Sequence, residues 1–174
     1  MSSSSSNNMD VESTPGVLWL IGGGGHAVVV ADAARAAGWT VIGYFDDQTD
    51  AAEEGLADTG VPHLGRIDDA PAKLRNAEPG TFVLPAVGDA SLREQWASHF
   101  DRSQLATIIH PSAVISPSAE ISSEAVFIGP RAVVNARANV AGGVIVNTAA
   151  VIEHDCDIGQ FAHVAPGAVV AGGS

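Results

Sequence analysis

A histidine between two carboxylates is the part of the sequence best suited to proton transfer. His154 lies between Glu153 and Asp155, and either carboxylate could bond one ring nitrogen and make the other nitrogen more basic. Such a histidine can serve as a general base. The alternative is an ordinary surface histidine in a polar turn, and the same alternative applies to His163.

A glycine-rich turn near the start of the chain has the residue types that bind a diphosphate. Gly22, Gly24 and Ala27 fit the G-x-G-x-x-[GA] spacing, and Asp46 stands where such folds place a ribose-binding carboxylate. Glycines let the backbone approach phosphate, and the following helix N-terminus attracts negative charge. His26, in the first turn of that helix, could reach a phosphate or sugar, or be only a partly buried capping residue. The alternative is an ordinary strand-to-helix turn that needs glycine only for its φ angles.

These residues require a βαβ unit to position them. Apolar runs and turn residues predict strands at 17–21, 40–45 and 81–87, and helices at 26–37 and 91–100, the second with Trp96 in the core. Residues 60–65 read either as a loop near the nucleotide or as a turn before a strand. The roughly 90 residues from 16 to 106 hold one mononucleotide-binding half, which weakens a dehydrogenase interpretation.

A six-residue repeat dominates the second half of the chain. An aliphatic residue recurs every six positions with one extra residue after the third, and a small residue follows each of them by four places. Short parallel strands joined by tight corners explain this period, which neither a helix nor a simple strand can produce. The aliphatic positions are Ile109, Ile115, Ile121, Ile128, Val134, Val140, Val146, Ile152, Ile158, Val164 and Val170. We therefore predict a hexapeptide β-helix from 107 to 174.

Composition and charge exclude several classes of partner. A formal net charge of -12 disfavours nucleic acid and anionic lipid, and no apolar run is long enough to span a membrane. The polar residues 1–15 lack the features of a signal peptide and are expected to form a disordered tail. The single cysteine, Cys156, fits a reducing compartment, so we expect a cytoplasmic protein. It occupies a small-residue position of the repeat and is expected to pack rather than react.

Several motifs occur together in an order that points to one family. They are Gly-Gly-Gly-Gly-His at 22–26, Phe-Asp-Asp at 45–47, Val-Gly-Asp at 87–89 with Arg93, and Val-Asn-Thr-Ala-Ala-Val-Ile-Glu-His-Asp-Cys at 146–156. In these motifs the chain resembles the hexapeptide-repeat acyltransferases that acetylate nucleotide-linked amino sugars or sialic acid, including the UDP-4-amino-sugar N-acetyltransferases of bacillosamine synthesis. The resemblance covers nearly the whole chain.

The resemblance implies a fold, a reaction and a set of site residues. The fold is a Rossmann-like half at 16–106 that holds a nucleotide-sugar, followed by a left-handed parallel β-helix at 107–174 that forms a homotrimer. The reaction is direct transfer of an acetyl group from acetyl-CoA to a sugar amine or hydroxyl, with no metal. His154 corresponds to the general base, Asp155 to the acid that makes it more basic, and His163 to an acetyl-CoA contact. The residues that correspond to nucleotide-sugar binding are Gly24, Gly25, His26, Asp46 and Asp47.

The sequence also leads to an expectation about the C-terminus and leaves two alternative functions open. Family members continue for further coils, whereas this sequence stops inside the repeat at 171–174, so we expect a C-terminal truncation and an incomplete acyl site. A non-catalytic nucleotide-sugar-binding protein, in which the β-helix only trimerises, is therefore an alternative. An NAD-linked dehydrogenase would use the glycine turn and Asp46, but it leaves the repeat unexplained.

Overall fold

The first part of the structure is a four-stranded parallel sheet with helices. The computed structural model describes residues 15–48 and 55–174, so the tail expected at 1–15 lies almost entirely outside the described residues. The sheet order is β3-β2-β1-β4, which confirms the predicted βαβ unit. Its elements are β1 (Val17–Ile21), α1 (Gly25–Ala36), β2 (Thr40–Phe45), β3 (His63–Gly65), α2 (Ala70–Leu74), β4 (Thr81–Pro85) and α3 (Ala90–Ala97).

Helix α1 follows the glycine turn because its sequence has one apolar face. Ala27, Val30, Ala31 and Ala34 recur at helical spacing and are buried against the sheet. The helix ends just before Gly38, whose φ of 88° is the left-handed conformation that glycine adopts after a helix. None of the helices in the described part of the chain is long and apolar enough to cross a bilayer.

Helix α3 differs from its prediction in the side chain it buries. Trp96, expected in the core, is half-buried and packs against the edge of the core. Arg93 is buried instead, with 1% of its surface exposed. Hydrogen bonding explains the difference, because the Arg93 guanidinium is surrounded by backbone carbonyl oxygens that satisfy it inside the protein.

Residues 108–170 form a parallel β-helix of eleven two-residue strands. The strands are β5 (Ile108–Ile109), β6 (Val114–Ile115), β7 (Glu120–Ile121), β8 (Phe127–Ile128), β9 (Val133–Val134), β10 (Asn139–Val140), β11 (Ile145–Val146), β12 (Val151–Ile152), β13 (Asp157–Ile158), β14 (His163–Val164) and β15 (Val169–Val170). Each strand ends on one of the eleven predicted aliphatic residues, and the middle coils bury them completely. The six-residue period is thereby confirmed.

The strands stack into three faces of different character. Face 1 is β5-β8-β11-β14, face 2 is β6-β9-β12-β15 and face 3 is β7-β10-β13. The first residue of each strand lies outside the coil. These residues are Ile108, Phe127, Ile145 and His163 on face 1, Val114, Val133, Val151 and Val169 on face 2, and Glu120, Asn139 and Asp157 on face 3.

The described residues up to 106, called the first domain below, pack against face 1. Ile108, Phe127 and Ile145 belong to the same buried cluster as the sheet and α1. Face 3 is polar, whereas face 2 carries a column of four valines, of which Val114 is 61% and Val169 68% exposed and the two between them are half-buried. Cys156 is buried in the interior of the coils, at the corner position predicted for it.

Candidate active site

His154 and Asp155 form a bonded pair at the corner between faces 2 and 3. The Nδ1 atom of His154 lies 2.7 Å from Oδ2 of Asp155. An ionised carboxylate only accepts hydrogen bonds, so Nδ1 is the donor, and in the neutral ring this leaves the lone pair on Nε2. The imidazole is 60% exposed, which leaves Nε2 free to accept a proton. Of the two carboxylates considered from the sequence, the structure brings Asp155 onto the ring, while Glu153 accepts a bond from Asn135.

Arg137 holds the same carboxylate from the preceding coil. Its Nε donates to Oδ1 of Asp155 at 2.5 Å and its Nη2 donates to Oδ2 at 2.7 Å. These bonds, followed by the bond from His154, hold the pKa of Asp155 well below its usual range. Asp155 therefore stays negatively charged beside the imidazole at neutral pH.

A glycine makes room for the imidazole. A Cβ atom at Gly172 would lie 2.8 Å from Nε2 and 2.9 Å from Cε1 of His154, closer than real Cβ atoms approach. Gly172 stands one coil after His154 at the same corner. The His154 ring therefore occupies the space beside Gly172 that a side chain would otherwise fill.

The glycine turn leaves open space at its tip. Gly23 is enclosed, since a Cβ there would strike Tyr44, whereas Gly24 and Gly25 are exposed and a Cβ on either would meet nothing within 4 Å. Gly24 is the N-cap of α1. Backbone N–H groups at the start of a twelve-residue helix attract phosphate, so this tip can bind an anion.

The two aspartates after β2 lie beside this turn, and both already have partners. Asp46 accepts hydrogen bonds from the backbone N–H of Gly23 at 2.7 Å and of Gln48 at 2.9 Å. Asp47 accepts from the backbone N–H of Ile67 at 3.2 Å and lies 3.5 Å from Nε of Arg66. The structure therefore brings Asp46 directly to the glycine turn and ties Asp47 to the segment that follows β3.

His26 faces the β-helix. Its ring packs edge-on against Phe127 with a centroid distance of 5.6 Å and lies 6.3 Å from the ring of His163. Its Nε2 is buried and has no hydrogen-bond partner among the described residues. Burial, with the nearby His163 and Arg93, lowers the pKa of His26 to about 4. A neutral imidazole with one unused nitrogen thus lies at the junction between the domain and face 1.

His163 is held on face 1 by Asn147. The backbone N–H of Thr148 donates to Oδ1 of Asn147 at 2.8 Å, so the amide Nδ2 donates to Nε2 of His163 at 3.0 Å. The other ring nitrogen, Nδ1, faces Gly88. Burial and Arg93 lower the pKa of His163, and the Gly88 backbone opposes them. The ring is neutral at physiological pH.

Arg93 joins the first domain to face 1. Its Nε donates to the carbonyl of Gly143 at 2.8 Å, and its Nη1 donates to Val87 and Gly88 at 3.0 Å each. Its Nη2 bonds the carbonyl of Phe161. Arg93 thus connects the segment at Val87 and Gly88 with Gly143 and Phe161 of the β-helix, next to His163.

The candidate residues fall into two groups on opposite sides of the β-helix. His26 and His163 lie at face 1, on which the domain with the glycine turn packs. His154 lies at the corner between faces 2 and 3, which is the corner opposite face 1 in a triangular coil. One chain therefore does not bring His154 to the glycine turn. In residues 15–48 and 55–174, no three His, Cys, Asp or Glu side chains are grouped as metal ligands.

Known proteins match both halves of the chain. A family model described as the PglD N-terminal domain matches residues 17–100. The acetyltransferase domain of PglB from Neisseria gonorrhoeae FA1090, solved in complex with acetyl coenzyme A, is 35% identical with a TM-score of 0.75, and the match covers 90% of this chain and 74% of that chain. The chain belongs to the hexapeptide-repeat sugar N-acetyltransferase family.

Two further members of this N-acetyltransferase family match. PerB from Caulobacter crescentus, solved with CoA and GDP-perosamine, is 34% identical with a TM-score of 0.71, over 87% of this chain and 69% of that chain. UDP-N-acetylbacillosamine N-acetyltransferase from Bacillus subtilis (strain 168) is 34% identical over 113 residues, which are 63% of this chain and 50% of the relative. The chain spans about half the length of that curated relative.

Two arginines that contact candidate site residues were not predicted to do so from the sequence. Arg137 stands 18 residues before Asp155, one coil of the repeat, so its proximity could have been read from the period. Arg93 belongs to a family motif, but nothing in the sequence predicts that α3 buries its guanidinium. Asn147 was also quoted only within a motif, and its bond to His163 connects β11 and β14, which neighbour each other on face 1.

Proposed function

We propose that this chain transfers an acetyl group from acetyl-CoA to the amino group of a nucleotide-linked sugar, with His154 as the general base. The observation that carries the proposal is the bond from Nδ1 of His154 to the anionic Asp155, which uses Nδ1 as the donor and leaves Nε2 exposed as the nitrogen that faces solvent. The family relatives that carry the names of sugar N-acetyltransferases support an amine as the acceptor.

The proposed chemistry needs one proton acceptor and no covalent enzyme intermediate. Nε2 of His154 takes a proton from the sugar nitrogen as that nitrogen attacks the thioester carbonyl carbon. Asp155 stabilises the imidazolium that forms, and a backbone N–H stabilises the oxyanion. The carbon–sulfur bond then breaks, and the proton on His154 passes to the departing thiolate or to water.

The first domain supplies the proposed nucleotide-sugar site. Gly24 and Gly25 offer open space and the start of α1 to the diphosphate, and Asp46 keeps the turn in place by bonding Gly23. We assign His26 and Asp47 to the same site, as the family resemblance implies. The division at 106/107 is supported by backbone bonds, since Ala106 donates to Val83 of the sheet and Ile108 donates to Val126 of the next coil.

We further propose that the working unit is a homotrimer with sites shared between copies. His154 and the glycine turn lie on opposite sides of one β-helix, so a site that uses both needs a second copy. The four valines of face 2 form an apolar strip, exposed at both ends and half-buried between them, that a neighbouring copy would cover. Acetyl-CoA would bind between copies, with His163 as one contact.

The location of the protein belongs to the same proposal. Its one cysteine is a buried free thiol, which suits a reducing compartment. We therefore propose that it works in the cytoplasm.

A mass-spectrometric screen tests the reaction. The chain is incubated with acetyl-CoA and a panel of UDP- and GDP-linked amino sugars, and the products are searched for the added mass of one acetyl group. We expect at least one amino sugar to gain it with the parent chain and with a His99→Ala control, whose histidine lies exposed on the first domain. A panel that stays unmodified at every protein concentration contradicts the proposal.

Calorimetry separates the second candidate function from the first. The distance of His154 from the glycine turn within one chain favours a non-catalytic nucleotide-sugar-binding protein if the copies do not assemble. Titration with acetyl-CoA, a UDP-linked amino sugar and NAD gives heat with the first two for the acetyltransferase, and with the second alone for the binding protein. Heat with NAD alone points to neither function and supports a dehydrogenase.

A further inference from the structure

We propose that Arg137 is a positioning residue that fixes the Asp155 carboxylate in the orientation that bonds His154. For its effect on catalysis this inference rests on the proposed function, but the positioning itself does not. Arg137 contacts neither Nε2 of His154 nor, in the proposed mechanism, the sugar nitrogen. Its contribution passes through Asp155, which it binds with two parallel hydrogen bonds.

The repeat stacks the two side chains one above the other. Arg137 and Asp155 are 18 residues apart and occupy the same left-handed corner position in successive coils, with φ angles of 59° and 58°. Because both backbones have the same conformation, both side chains leave the corner in the same direction. The contact is therefore built by the coil geometry and does not depend on a chance meeting of two surface side chains.

The bonding pattern determines the orientation of the carboxylate. Nε of Arg137 bonds Oδ1 of Asp155, and Nη2 bonds Oδ2, so the planar guanidinium aligns the carboxylate plane with its own. The same Oδ2 accepts the proton on Nδ1 of His154 at 2.7 Å. One oxygen thus connects the arginine to the imidazole, and rotation of the carboxylate would break both contacts.

The arginine also keeps Asp155 able to accept that proton. The hydrogen bond from Arg137 is the largest cause of the lowered pKa of Asp155. If Asp155 were protonated, its bond to Nδ1 would weaken and His154 could place its proton on Nε2 instead. Nε2 would then have no lone pair for the sugar amine.

The energy of this contact is modest because it faces water. Arg137 is 66% exposed and Asp155 is 42% exposed, and exposed ion pairs contribute little to folding stability. We expect its loss to change the orientation of the imidazole more than the stability of the fold. We expect removal of the Arg137 side chain to lower kcat by about two- to fivefold, which corresponds to the energy of an exposed ion pair.

Nitrogen-15 NMR of the imidazole tests the inference without an activity assay. The variant Arg137→Gln should move His154 from one dominant Nδ1–H tautomer towards a mixture, and should move the pKa of the Asp155 carboxyl up towards its usual value. Arg137→Lys keeps the positive charge but cannot make two parallel hydrogen bonds. It should therefore keep the pKa of Asp155 low while the Nδ1–H tautomer of His154 is only partly restored. Signals are assigned by their loss in His154→Gln.

The matched control is Arg131→Gln. Arg131 occupies the equivalent left-handed corner position six residues earlier, with φ 59°, and makes no ion pair with a described residue. This control should leave the tautomer and the Asp155 titration unchanged. The kcat for acetyl transfer should fall in Arg137→Gln, with KM for the nucleotide-sugar nearly unchanged, because Arg137 touches no substrate.

The outcomes separate this inference from the proposed function. Unchanged imidazole spectra in Arg137→Gln overturn the inference, whatever the activity. A changed tautomer in a chain that acetylates no sugar supports the positioning role and contradicts the proposed function. An equal fall of kcat in Arg131→Gln also overturns the inference, since a general effect on the corners would then explain the loss.

Discussion

The two histidine environments on this β-helix differ in exposure and in the partners of the nearby arginine. At the corner between faces 2 and 3, His154 is exposed, and the arginine beside it is paired with Asp155. At face 1, His163 and His26 lie beside Arg93, which bonds only carbonyl oxygens among the described residues. The exposed His154 imidazole bonds an anionic carboxylate. At face 1, burial is the largest cause that lowers the pKa of His26 and of His163, and the charge of Arg93 adds to it.

This difference assigns different work to the two sides. The corner suits proton transfer, while the junction suits a neutral surface that contacts uncharged groups and fixes the first domain on face 1. Because the two environments lie on opposite sides of the coil, they can act on one substrate only if they come from different copies of the chain.

Replacing the corner histidine should have the largest effect. His154→Ala should lower kcat by about 10²–10⁴, the usual contribution of a general base, while the fold survives because the side chain is exposed. Steady-state acetyl transfer and circular dichroism measure the two quantities. His99→Ala serves as the control, and a His154→Ala variant as active as the parent removes the residue from the mechanism.

The junction should respond in stability before it responds in rate. Arg93→Met leaves the carbonyls of Gly143 and Phe161 without their donor, so we expect a loss of about 3 kcal/mol in the free energy of unfolding. Urea denaturation measures it, with the exposed Arg75→Met as control. If both variants unfold at the same urea concentration, Arg93 does not hold the domain on the β-helix.

Crowding the corner should change rate and leave stability unchanged. In Gly172→Ala the new methyl group would meet the His154 ring, which can rotate away into solvent. We expect kcat to fall about tenfold through this displacement. Gly159→Ala is the matched control, because a Cβ there meets nothing within 4 Å. Full activity of Gly172→Ala would mean that the observed ring position is not the working one.

The smallest effect concerns pH. His26 has a folded-state pKa of about 4, below its ordinary 6.5, so the unfolded chain binds more protons between these values and stability falls as pH drops through that range. His26→Gln should flatten this decline, as measured by urea denaturation at pH 7 and pH 4.5. An identical decline in parent and variant would show that folding does not lower the pKa of His26.

The sequence predicted the coils better than the site. The eleven aliphatic positions determine the strands because a six-residue period admits few other structures. The packing of the first domain on face 1 also had a signal, since Phe127 and Ile145 are large apolar residues at outward positions. The burial of Arg93 had no signal in the sequence, because it depends on backbone carbonyls from distant parts of the chain that meet only after folding.

The position of His154 relative to the glycine turn was equally invisible in the sequence. Both belong to motifs of one family, which suggests a single site, but the glycine turn lies in the domain that packs on face 1, whereas His154 lies at the opposite corner of the coil. Only the stacking order of the strands reveals this separation.

A mixing experiment tests the shared site most directly. His154→Ala lacks the base, and Gly25→Leu places a bulky side chain at the open tip of the glycine turn, where a Cβ meets nothing within 4 Å. Each variant alone should be inactive. Co-expressed in equal amounts, they should recover about a quarter of the parental acetyl transfer, because random assembly pairs an intact corner with an intact turn at that frequency. A co-expressed mixture as inactive as either variant alone would contradict a site built from two copies.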